Sequence, residues 1–190
     1  MSSERSLAEQ FTLERRRRAR DYFHQAYRLQ REAIAETDTV AQRRLFRTAI
    51  GRYRRSLEFF PTAEAYTFLG WTYSFLGNLQ EAISACQHAI SLDPDFGNPY
   101  NDIGVYLIEQ GSYDQAIPYL QQAISAKRYD LYHYAHYNLG RIWLIKGLVH
   151  EAAREFERAL EYDPGYSLAQ MALEQIQVRW REAMEAASDL

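Results

Sequence analysis

The chain has 190 residues, 47% of them hydrophobic and 25% charged, with a formal net charge of −3. No run approaches the ~20 apolar residues that a membrane helix needs, the N-terminal segment lacks the apolar stretch of a secretory signal, and the lone Cys86 excludes an internal disulfide; these features predict a cytoplasmic protein. The small net charge hides an asymmetry, because residues 1–60 hold fourteen arginines against eight acids, a net of +6, whereas residues 61–190 carry −9.

In chain order, residues 1–60 come first. Their spacing predicts two long helices near 6–36 and 39–60, a basic elongated hairpin that reverses at Thr37-Asp38-Thr39. Asp38 or Thr39 would cap the second helix. Tyr22, Phe23, Tyr27, Phe46 and Tyr53 fall at roughly helical spacing and are expected to pack this hairpin. Arg15, Arg16, Arg17 and Arg18 are consecutive, so on a helix they point all the way round and cannot share one flat patch. Such a basic segment reads as a solvated face, or as a surface for an acidic partner, anionic lipid or RNA.

From residue 63 the chain repeats itself with a period near 34, over 63–96, 97–130 and 133–166. Small residues recur where two helix backbones must approach: Gly70, Gly104 and Gly140; Ala82, Ala116 and Ala152; Ala89, Ala123 and Ala159. Gly77, Gly111 and Gly147 fall where the first helix of each repeat must stop. Asp93-Pro94 and Asp163-Pro164 end the second helix of two of them. Helices are expected near 63–76, 79–92, 97–110, 113–126, 132–146 and 149–162. Pro118 lies inside one of them, and Leu131 and Tyr132 are two additional residues between the second and third repeats. Residues 167–190 carry an apolar stripe with a polar back, which predicts a capping helix near 166–186.

These positions resemble the tetratricopeptide repeat, or TPR. Most of the eight characteristic positions match in each of three tandem copies. Cys86 replaces a large residue, His136 an aromatic one, and Arg128 the repeat-ending proline. Ala49, Tyr53 and Pro61 echo a fourth copy, which makes 1–60 a divergent repeat continuous with the array. The resemblance implies an all-α solenoid of helix-turn-helix pairs whose first helices line a concave groove. A weaker similarity, through NDIGVYLIEQGSYDQA at 101–116 and the displaced third repeat, is to the type IV pilus assembly TPR proteins. The type III secretion chaperones are similar in architecture.

No pattern of catalytic or phosphate-binding residues occurs, so no enzyme is expected, and no cofactor or metal. His133 and His136 have metal-ligand spacing, but nothing completes a site, and the surrounding tyrosines suggest packing. Cys86 occupies a core position.

The family resemblance places Thr67, Phe68, Trp71 and Phe75 of the first repeat in the groove. From the second come Asn101, Asp102, Val105 and Ile108, and from the third Tyr137, Asn138, Arg141 and Leu144. Trp71, Phe75 and Ile108 are bulky where self-packing does not demand it, and Asn101 and Asn138 can donate and accept toward a peptide backbone. Arg141 can answer a ligand acid or pair with Asp102. The basic clamp with which some TPR proteins hold a chaperone's C-terminal carboxylate is absent. The expected function is a non-catalytic scaffold or adaptor that binds a peptide or helix of a partner protein, in assembly of a larger bacterial complex. Filling of part of the groove by the hairpin or the cap helix is the competing use of that surface. The alternative functions are RNA or anionic-surface binding by the hairpin, and a secretion or pilus-assembly chaperone. Nucleic acid is the less favoured partner, since the hairpin's aromatics are needed for packing.

Overall fold

The computed structural model describes residues 2–188, and among them every regular element is an α-helix. The chain divides into two compact units, one ending at Pro94 and the other beginning at Asp95. The first holds α1 (Ser2–Ala35), α2 (Thr39–Phe59), α3 (Ala63–Ser74) and α4 (Leu79–Leu92). The second holds α5 (Asn98–Glu109), α6 (Tyr113–Ser125), α7 (Tyr132–Ile145), α8 (Val149–Tyr162) and α9 (Ser167–Ser188). α1 begins four residues before its expected start, and the other boundaries agree with the sequence reading to within two.

In the first unit, α1 and α2 form the long antiparallel hairpin. Asp38 caps α2, its Oδ1 accepting from the amides of Val40 (2.8 Å) and Ala41 (2.9 Å). α1 turns Ala19, Ala26 and Ala33 inward, all buried and seven residues apart, toward the buried Phe46, Ala49 and Tyr53 of α2. A seam of methyl groups at that spacing lets two helices lie close along their length. The Ser56 hydroxyl donates to the carbonyl of Ala19 (2.7 Å), and the Tyr53 hydroxyl to Gln30 Oε1 (2.7 Å), both within the buried seam. Burial raises the Tyr53 phenol's pKa above its ordinary value. The arginine run is used locally. Arg15 donates to the carbonyls of Phe59 (2.8 Å) and Glu58 (2.9 Å), satisfying the end of α2. Arg16 covers the Phe60 ring, and Arg18 pairs with Glu14 and faces Phe59.

The repeats share one packing rule. A Cβ built on Gly104 would lie 2.5 Å from Leu120, and one on Gly140 2.5 Å from Phe156. On Gly70 it would meet the Ala82 carbonyl and the Cys86 sulfur, each at 2.9 Å. Cys86 is therefore the small member of the same pair, and its thiol is buried. The first helix of each repeat stops at a glycine with φ of 76°, 73° or 75°. At Gly77 the amide reaches back to Ser74 (2.9 Å) and that of Asn78 to Tyr73 (3.1 Å), a paired closure repeated after Gly111 and Gly147.

In the second unit, the residue that departs from the repeat-ending proline has a structural reason. Arg128 donates its amide to the Asp95 carbonyl (2.8 Å), and its own carbonyl accepts from the Gly97 amide (3.1 Å). Proline could not make the first bond. Lys127 reinforces the junction through Asp95 (3.0 Å). α6 runs through Pro118 as one helix.

Candidate functional site

The candidate residues lie on the first helices of the repeats, α3 in one unit and α5 with α7 in the other. On α3, Thr67 is buried and its hydroxyl donates to the Ala63 carbonyl (2.8 Å), which withdraws it from the surface. Phe68 meets Phe23 (5.4 Å) and Tyr27 (5.5 Å) of α1 edge-on, and faces Tyr53 of α2. Phe75 stacks on Phe46 at 4.7 Å. The hairpin thus occupies part of the α3 surface. What remains open is Trp71, 39% exposed, and the outer face of Phe75, 43% exposed, with their ring centroids 5.4 Å apart.

On α5 and α7 the polar candidates form a directed chain. Arg141 donates to Asn138 Oδ1 (3.0 Å), and Asn138 Nδ2 donates to Asn101 Oδ1 (3.3 Å). The Asn101 side chain in turn hydrogen-bonds the Asp102 carboxyl. Asn101 and Asn138 are buried, Asp102 and Arg141 partly so. Arg141 does not pair with Asp102; its guanidinium bonds Asn138 and lies over the Tyr137 ring. Burial pushes the Asp102 carboxyl up to about 7 from an ordinary 3.8, only partly opposed by the Asn101 hydrogen bond. Each asparagine amide still has an N–H to give after these bonds.

The apolar candidates divide. Ile108 is buried and belongs to the core. Tyr137 and Leu144 pack against the cluster around Phe156, and Val105 is half-buried. Beside them lie tyrosines that sequence reasoning did not assign to the site. Tyr129 is buried with its hydroxyl unpartnered, and its pKa is raised by burial first and by the nearby Asp102 charge second. Tyr166 meets Tyr134 and Tyr137 edge-on, and its phenol is pushed up to about 12, mainly by burial. The signal for Tyr129 was present in Gly97, where a Cβ would lie 2.4 Å from the Tyr129 side chain.

His133 and His136 do not converge on one point. His136 Nδ1 is 2.7 Å from Glu155 Oε2 and its ring stacks on Tyr162, whereas His133 faces Tyr166. Among the described residues no three metal-ligating side chains gather, and no helix is long and apolar enough to cross a membrane. A cavity of about 460 Å3 between α8 and α9 is lined by His150, Arg154, Ile176 and Trp180 among others.

Two tetratricopeptide repeat models match the chain, over residues 63–96 and 101–167, together more than half of it. A mouse relative, tetratricopeptide repeat protein 21B, is 25% identical over 122 residues; the match takes in 64% of this chain and 9% of that protein's length. Among solved structures, pilF of Pseudomonas aeruginosa superposes with a TM-score of 0.73 at 22% identity, covering 91% of this chain and 74% of that one. The first TPR domain of Spaghetti (RPAP3), solved with the HSP90 peptide SRMEEVD, gives 0.57 at 21% identity, over 63% and 93%. At such identities these likenesses establish the fold. The paired glycines, the small-residue register and the matched models together place this chain in the tetratricopeptide repeat family.

Proposed function

We propose that the chain is a non-catalytic adaptor that binds a peptide or helix of a partner protein along the first-helix faces of its repeats. The family is one of protein-interaction scaffolds, and a similar fold is known with a peptide bound. The observation that carries the reading is Trp71. It is a large aromatic on α3, 39% exposed beside Phe75, although its neighbour Phe68 is covered by the hairpin. Exposed aromatic surface of this kind signals a partner. In the other unit, Asn101, Asn138 and Arg141 offer the hydrogen bonds that would hold an extended backbone or an acidic side chain, with Asp102, Val105 and Tyr137 beside them. A cytoplasmic, reducing setting fits the single buried thiol of Cys86, and a role in assembling a larger complex fits a scaffold without chemistry of its own.

The test begins with capture of partners from native lysate, followed by calorimetry with the partner identified. Trp71→Ala should weaken binding about thirtyfold, the equivalent of ~2 kcal/mol for an aromatic anchor. Asn101→Ala should weaken it about fivefold. Full affinity in a folded double variant would remove these faces from consideration.

A further inference from the structure

Two clefts of about 370 and 400 Å3 lie along the seam between α1 and α2. Both are bordered by Thr48 and Arg52; Tyr22, Gly51 and Arg55 complete the first, and Arg28 and Glu32 stand on the second. α2 carries six arginines and a single acid, Glu58, which is paired with Arg55. Among the described residues, Arg28 and Arg52 have no carboxylate partner; Arg52 only rests over the Tyr22 ring at 5.8 Å. Unpaired guanidiniums bordering these shallow clefts present forks that match carboxylate geometry.

Gly51 is an independent observation. A glycine inside a helix is unfavourable relative to alanine. Here no positive φ requires it, and a Cβ built on it would meet nothing within 4 Å. Neither backbone nor packing explains Gly51; the effect of its missing side chain is to leave the cleft open beside Arg52 and Arg55.

The character of the occupant follows from what is already spent. Tyr22 stacks on Phe59 at 5.5 Å with Arg52 on it, and Phe59 also faces the guanidiniums of Arg18 and Arg55. Among the described residues that line these clefts the one ring is Tyr22, already stacked, so the clefts offer no free ring for base stacking, the contribution that single-stranded nucleic acid exploits. A bilayer surface is held by charge together with apolar side chains that insert, and the apolar side chain bordering these clefts, Leu29, is half-buried. Independently of the reading above, we propose that the α1–α2 seam is a second binding site, which takes a carboxylate-rich segment of a partner protein along both clefts, from Arg28 past Arg52 to the opening beside Gly51.

The test uses the full chain and a fluorescent decaglutamate peptide, read by anisotropy at low salt. Because the hairpin's net charge of +6 attracts any polyanion at low salt, the site is read from the variants and not from binding alone. Saturable binding is expected, weakened at least tenfold by Arg28→Gln with Arg52→Gln. Gly51→Gln, which fills the opening without changing charge, should weaken it at least tenfold with no fall in melting temperature. Arg17→Gln with Arg20→Gln removes the same charge from α1 positions that do not border the clefts, and should change affinity less than threefold. The proposal is overturned if decaglutamate does not saturate, if the control pair loses as much as the seam pair, or if Gly51→Gln binds normally. It is equally overturned if oligouridylate or phosphatidylserine vesicles bind tenfold more tightly with the same dependence on the seam. A self-association of the chain that the seam variants abolish would assign the site to a second copy instead.

Discussion

Asp102 gives the site a measurable pH dependence. Burial lifts its carboxyl from 3.8 to about 7, the Asn101 hydrogen bond works against that rise, and Arg141 is engaged by Asn138. The folded chain therefore keeps a proton that the unfolded chain releases near pH 4. The contribution of this carboxyl to stability falls as pH rises between about 4 and 7, because in that window it binds more protons in the native state than in the unfolded one. Asp102→Asn keeps the shape and removes the charge, so its advantage over the parent should grow with pH. From pH 5 to the native titration near 7, the folded carboxyl holds a proton that the unfolded one has lost, which amounts to ~2.7 kcal/mol without screening, at ~1.36 kcal/mol for each step of one in pH. Asp102 is partly exposed, so solvent reduces the effect, and we expect ~1–2 kcal/mol. Urea unfolding of both proteins at pH 5 and pH 8 reads this directly, since the difference between them cancels every other titrating group. A difference that is the same at both pH values, or that shrinks as pH rises, would refute the argument that the carboxyl is buried without a cation.

The glycines test the packing. Gly140→Ala drives a methyl toward the buried ring of Phe156 and should destabilise by ~1–3 kcal/mol in urea unfolding, whereas Gly51→Ala, facing open space, should stabilise by ~0.5–1 kcal/mol. Equal shifts at the two sites would mean that the repeat packing rule is wrong. Gly97→Ala places its Cβ 2.4 Å from Tyr129 and should destabilise by ~2–3 kcal/mol, with early hydrogen exchange at the Arg128 amide. A stable variant with that amide still protected would show that the junction tolerates separation.

The fold was legible because its rules are local and repeated. A glycine with positive φ after each first helix, and a small residue opposite each Cys86, Leu120 or Phe156, recur at fixed offsets, so three copies confirm one another. The junction at Asp95 and Arg128 was less legible for the converse reason. It occurs once, and its logic lies in a backbone bond between residues 33 apart, so the missing proline read as a departure rather than as a freed donor. The hairpin's length and its cap at Asp38 could be read from spacing. Its alanine seam at Ala19, Ala26 and Ala33 could have been, since a seven-residue spacing of small side chains is visible in sequence.

The site was harder to read because surface availability is a property of partners, not of register. Thr67, Phe68 and Ile108 occupy positions that the repeat pattern assigns to a groove, yet each is drawn into packing or a local hydrogen bond by neighbours the pattern does not specify. The same reasoning applies to charge. Fourteen arginines in the first 60 residues suggest one basic surface, but Arg15 closes a helix end, Arg16 covers Phe60 and Arg18 meets Glu14. Composition counts all of them alike, whereas a ligand encounters only those left without a partner. Arg28 and Arg52 are such a pair and Trp71 is their apolar counterpart, so substitutions at these positions should affect binding before they affect folding.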